Sequence, residues 1–145
     1  MKAFKFLLLT SAIFLLACTQ QPKLKNGVYE GRTQSKYKQE PFLGVSKITV
    51  ENNVISNIEF YIIDTTNNEL FDEKYEKHFV GNNEEYVQQC RNDWAGVQRY
   101  PKELLQRQCL DSVDAVTGAT WSYNMFHDAT TIALEKAKAN KKYVR

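Results

Sequence analysis

The stretch Val45-Ser46-Lys47-Ile48-Thr49-Val50-Glu51-Asn52-Asn53-Val54-Ile55-Ser56-Asn57-Ile58-Glu59-Phe60-Tyr61-Ile62-Ile63 decides the fold. Val45 to Glu51 alternates, with Ser46, Ile48 and Val50 on one face. Asn52-Asn53 is a turn signal. Val54 to Ile63 then places Val54, Ile58, Phe60 and Ile62 on one face, and Ile55, Tyr61 and Ile63 on the other. Two alternating runs joined by two turn residues predict an antiparallel hairpin. Upstream, Gly27 to Thr33 is a short strand centred on Val28 and Tyr29. Downstream, Asp64 to Glu69 is polar and predicts a loop. Glu84 to Trp94 and Lys102 to Leu110 predict helices, with Gly96 and Pro101 bracketing a loop between them and Pro101 suited to a helix start. Trp121 to Ala139 is the clearest helix, with Trp121, Met125, Ala129, Ile132 and Ala133 on one stripe and Phe126 beside it. The whole predicts one α+β domain, a small antiparallel sheet followed by helices.

Composition fits that reading. The 145 residues include 19 Lys+Arg and 17 Asp+Glu, with 43% hydrophobic and 25% charged residues, which excludes a disordered or fibrous chain. With a pI near 8.4 and no dense basic stripe, nucleic acid is not an expected partner.

The first residues read as an export signal. Lys2 and Lys5 precede a nearly continuous apolar run from Phe6 to Ala17, too short for a bilayer span of roughly 20 residues. The run ends Leu15-Leu16-Ala17-Cys18, which resembles the bacterial lipobox. That resemblance implies removal of residues 1–17, acylation of Cys18 (palmitate among the chains), and an exported lipoprotein held on a membrane facing the periplasm or the cell exterior. Residues 18–26 then form a tether and residues 27–145 the domain. Without residues 1–17 the chain has 17 basic and 17 acidic groups. Lipid attachment, not charge, would hold it to a membrane.

Two further cysteines, Cys90 and Cys109, lack C-x-x-C spacing, so neither covalent haem nor a thioredoxin-like motif is indicated. Outside the cytoplasm they are a candidate disulfide, the alternative being two buried thiols. His78 and His127 lack metal-ligand spacing, and no metal is expected.

The segment Asp114-Ala115-Val116-Thr117-Gly118-Ala119-Thr120-Trp121-Ser122 carries the chemistry. It is a hydroxyl-rich turn that feeds a helix. Gly118 permits an unusual backbone angle or a close ligand approach. The first N–H groups of the helix attract a phosphate. The alternative from residue chemistry alone is that Thr120 or Ser122 caps the helix.

Asp114, Thr117, Gly118, Ala119 and Thr120 resemble the D-x-x-[ST]-G-A-[ST] signature of the FMN-binding domain family. That family includes flavin subunits of sodium-translocating NADH:quinone reductase and of the Rnf-type complex. Such a string arises by chance in on the order of one in a thousand chains of this length. Asn26-Gly27-Val28-Tyr29-Glu30-Gly31 is similar to the family's D-G-x-Y-x-G entry strand, with Asn26 in place of the aspartate. Residues 64–107 match nothing in the family pattern and read as a variant insertion. The resemblance implies FMN joined by a phosphoester to Thr120, attached by a separate transferase that uses FAD and a metal ion. Asp114, Thr117, Gly118 and Ala119 would be read by that transferase and shape the phosphate turn. Trp94, Tyr100, Trp121 and Tyr123 are aromatic neighbours for the ring, or core. With no acid, nucleophile or metal cluster beside the motif, the expectation is an electron carrier or redox subunit with an unidentified donor and acceptor, not an enzyme with its own substrate. The alternatives are FMN bound without a bond, and a cofactor-free surface lipoprotein that binds a ligand or partner.

Overall fold

The computed structural model describes residues 23–33 and 40–140. The signal segment 1–17, Cys18 and the first half of the tether lie outside them. Four antiparallel strands, β1 Gly27–Arg32, β2 Phe42–Glu51, β3 Val54–Asp64 and β4 Glu69–Leu70, lie side by side in chain order. Then come a 3₁₀ segment Glu73–Phe79, a long helix α1 Glu84–Arg107, a short 3₁₀ segment Leu110–Ser112 and a second helix α2 Thr120–Lys138. The fold is the expected α+β arrangement.

The β2–β3 hairpin turns at Asn52 and Asn53, with φ of 52° and 65°. Two left-handed residues make the turn whose twist matches the strands, and asparagine tolerates that region better than most residues. Pairing runs Glu51 to Val54 and Val50 to Ile55, then jumps to Thr49 with Asn57. The bulge leaves Ser56 as an extra residue, and one extra residue reverses the alternation. Ile55 therefore joins Ile58, Phe60 and Ile62 in the core, while Val54 is 49% exposed. This corrects the expected facing of Val54 and Ile55.

α2 packs on β1 and β2, and α1 on β3 and α2. α2 lies directly on β1 because both surfaces are small. A Cβ at Gly31 would overlap the Ala129 carbonyl oxygen and lie 2.7 Å from the Ala133 nitrogen. Ala129, Ala133 and Ala137 line that contact with no exposure, and the buried Thr130 hydroxyl donates to Ser46 Oγ at 3.0 Å. Tyr29, also fully buried, donates its hydroxyl to the Lys25 carbonyl at 2.9 Å. Phe126 stacks edge-on against Phe60, with centroids 5.1 Å apart. Each fully buried side chain of this size contributes about 1.5–3 kcal/mol.

α1 corrects the expected pair of helices. It is one helix from Glu84 to Arg107, with Gly96 and Pro101 inside it and no intervening loop. Pro101 removes one N–H from the helical ladder, but tertiary packing outweighs that local loss. Gly96 has a packing reason: a Cβ there would lie 2.5 Å from the Tyr100 hydroxyl one turn later. Residues 64–107 supply β4, a 3₁₀ segment and α1, which covers β3. α1 ends at Gln108, in the left-handed conformation with φ 56°. The Gln108 amide clasps β3, accepting the Ile55 N–H at 2.8 Å and donating to the Ile55 carbonyl at 3.0 Å.

Candidate flavin site

The signature turn follows the short 3₁₀ segment. Asp114 is exposed, its carboxylate 3.5 Å from the Arg107 guanidinium. Thr117 and Gly118 form the turn, both exposed, with Gly118 at φ +76°. Any side chain is strained at that angle, and a Cβ would lie 2.8 Å from Asn92 Nδ2 of α1. Ala119 is fully buried. Its carbonyl accepts from the Tyr100 hydroxyl at 3.1 Å and the Tyr123 N–H at 3.1 Å. Thr120 opens α2 with its side chain exposed.

The capping alternative takes an unexpected form. Ala119 occupies the N-cap position and offers no side-chain acceptor. Asp93 of α1 takes that role, its Oδ1 accepting the Ser122 N–H at 3.0 Å and the Ser122 hydroxyl at 2.8 Å. Asp93 is 4% exposed. Burial pushes its pKa up, and the two Ser122 bonds act the other way. Sequence reading missed this residue. Its signal was present: Val87, Cys90, Asp93, Val97, Tyr100 and Leu104 form one buried stripe at helical spacing, with a single acid in it.

Beside the first turn of α2 lies a cavity of about 280 Å³, walled by Phe42, Phe71, Phe79, Tyr86 and Trp121. Glu40, Gln89, Cys90 and Asp93 complete the lining. Phe42 and Phe71 meet Trp121 edge-on, with centroids 5.3 and 5.1 Å apart. The Trp121 indole N–H donates to Glu40 Oε2 at 3.0 Å. A shallow groove on the Gly118 side is lined by Glu84, Glu85, Gln88, Gln89 and Asn92. Of the four aromatic ring neighbours expected from sequence, Trp121 lines the cavity. Tyr100 is buried beneath the turn, and Tyr123 stacks edge-on against it. Trp94 packs on the core.

Cys90 is a free, buried thiol, so the Cys90–Cys109 bridge is not formed. Seventeen residues of helix lie between Cys90 and the end of α1, a rise of roughly 25 Å at 1.5 Å per residue. A disulfide needs Cα atoms about 4.4–6.8 Å apart. His78 pairs with Glu69 at 2.8 Å and His127 with Asp111 at 3.7 Å.

The aromatic cavity and the exposed turn both lie at the start of α2. A family model, the FMN-binding domain, matches residues 45–135. The chain belongs to the FMN-binding domain family, and FMN is its cofactor. The match includes the segment that the sequence left unplaced. The chain is similar to the crystal structure of the CPE2226 protein from Clostridium perfringens, at 23% identity and a TM-score of 0.60 over 83% of this chain and 93% of that one. A solution NMR structure from Clostridium thermocellum aligns at 17% identity and a TM-score of 0.43, over 84% of this chain and 95% of that one. No curated protein matches the chain.

The residues present fit FMN. The cavity is close to the ~300 Å³ lower bound of ligand pockets and is aromatic, as a flavin ring requires. Gly118 keeps the turn free of a side chain where Asn92 closes on it.

Proposed function

We propose that this protein is an exported, membrane-anchored electron carrier, with FMN joined by a phosphoester to Thr120 and its ring in the aromatic cavity. The observation that carries the reading is the placement of Thr120. Its side chain is exposed at the start of α2, one residue before the tryptophan that walls the cavity. FMN supplies the redox chemistry when bound; the protein orients it and tunes its surroundings. The first N–H groups of α2 would hold the phosphate. Trp121, Phe42 and Phe71 would hold the ring and exclude water. Asp114, Thr117, Gly118 and Ala119 would be read by an FAD-using transferase, and exposure of Asp114, Thr117 and Gly118 supports that role. Cys18 would carry the lipid, and the tether from membrane to domain would end at residue 23 and not at 26, since Leu24 is buried in the core and Lys25 donates its N–H to the Ala137 carbonyl at 3.2 Å. A bonded cofactor suits an exported protein, because it does not diffuse away.

Co-expression with a flavin transferase tests the reading. The purified protein should give a fluorescent band on a denaturing gel, and Thr120→Ala should abolish it. The tryptic peptide containing Thr120 should carry the mass of FMN. Flavin released by denaturing dialysis would instead show binding without a bond, and a colourless protein would leave a ligand- or partner-binding lipoprotein.

A further inference from the structure

The cavity contains one carboxylate that the packing does not require to be charged. Both Ser122 bonds to Asp93 arrive at Oδ1. An asparagine would accept the same two bonds through its own Oδ1, without the free-energy cost of a buried charge. Asp93 lines the aromatic cavity, and Oδ2 is the oxygen that the Ser122 bonds leave for it. No Lys, Arg or His is among the described residues of that lining. The titratable groups around Asp93 are the Cys90 thiol and the Tyr86 and Tyr100 phenols of α1, and Glu40 ahead of β2. From α2, Ser122 bonds it and Trp121 lines the same cavity, together with Phe42, Phe71 and Phe79. None of these groups supplies a cation.

We propose that Asp93, through Oδ2, sets the reduction potential of the flavin in the aromatic cavity and makes it depend on pH. This rests on the cavity being the ring site. A negative charge close to a ring opposes the arrival of electrons on it, the more so where protein replaces water. A proton on Oδ2 cancels that opposition. Asp93 is neither oxidised nor reduced; it exchanges one proton with solvent. Burial holds its pKa above the ordinary carboxylate range, so its charge is lost at a higher pH than a surface aspartate's would be.

The test is an equilibrium redox titration of flavin-loaded protein, with dithionite as reductant and reference dyes, at several pH values from 4 to 8. Asp93→Asn should raise the midpoint potential at pH 8 by a tenfold or larger shift in the reduction equilibrium, about 30 mV for a two-electron couple. The gap to wild type should close as pH falls and Asp93 protonates. Asp93→Glu should keep the low potential at pH 8 but move the pH at which it rises, and it carries the test alone should Asp93→Asn not fold. Ser122→Ala, which removes one bond that favours the charged acid, should lower the melting temperature and move the rise of the potential to higher pH. Yellow protein whose potential–pH curve is the same in wild type, Asp93→Asn and Asp93→Glu overturns this inference alone. Colourless protein from the same cells overturns the flavin reading together with it.

Discussion

Gly31→Ala tests how α2, and with it the flavin turn, is held on the sheet. The added Cβ would overlap the Ala129 carbonyl oxygen and approach the Ala133 nitrogen to 2.7 Å. Both neighbours are backbone atoms of a helix, so no side-chain rotation relieves the clash. Overpacking of a tight core costs about 1–3 kcal/mol, and a backbone-on-backbone contact belongs at the upper end, about 3 kcal/mol. Alanine in place of glycine in a strand recovers roughly 0.5–1 kcal/mol. The net loss is about 2 kcal/mol, and at ~4 °C per kcal/mol for a domain of this size the melting temperature should fall by about 8 °C. Gly44→Ala is the matched control. There the new Cβ would lie 2.9 Å from Thr33 Cγ2 and 3.2 Å from Met125 Cβ, neighbours with more room to give. Thermal unfolding followed by circular dichroism should rank wild type above Gly44→Ala and Gly44→Ala above Gly31→Ala. A Gly31→Ala melt within about 2 °C of wild type would refute the claim that β1 and α2 touch backbone to backbone.

Gln108→Asn keeps a residue that tolerates the left-handed C-cap but shortens the amide by one methylene. The Ile55 N–H and carbonyl should lose their partners, at about 1–2 kcal/mol in denaturant titration. The buried Asp64 carboxyl is held at about 2, first by the Tyr75 hydroxyl at 2.6 Å, while burial and that carboxylate raise the Tyr75 phenol to about 12. A lowered folded-state pKa contributes stability that is complete above 3.8 and lost as pH falls towards 2. Tyr75→Phe should therefore melt below wild type at pH 7, with the gap closing between pH 4 and pH 2. Burial pushes the Cys90 thiol up and shields it. Without reductant, Cys90 should resist alkylation in the native protein and react on unfolding; rapid native labelling would contradict its burial.

The hairpin and α2 were legible because their periods are strong and local. The Asn52-Asn53 turn and the apolar stripe of α2 each carry their geometry in local sequence. α1 reads as two helices in the sequence because Gly96 and Pro101 are breakers on propensity alone. The glycine is accommodated by Tyr100 folding back over it, which no local pattern encodes. Ser56 is invisible as a bulge, since only pairing with β2 reveals the extra residue. The signature residues were legible through resemblance, yet the cavity was not. Its walls come from β2, the segment after β4, the first 3₁₀ segment, α1 and α2. Contacts at such sequence separation leave no periodic trace.

The position of Ala119 explains why the Thr120 side chain stands exposed at the start of α2. A threonine at a helix start ordinarily spends its oxygen on an N–H two or three residues on. Here that oxygen would have to come from the N-cap, and the N-cap is alanine. The demand passes to Asp93, which reaches across from α1 to the Ser122 N–H. Tyr100 fixes the Ala119 carbonyl from below, so the turn is anchored on its buried side by two residues of one helix. Thr120 then stands one position inside α2, its side chain exposed and with no capping duty among the described residues. Moving the cap off the threonine lets one short turn be both anchored and exposed. It also places a carboxylate in the lining of the cavity.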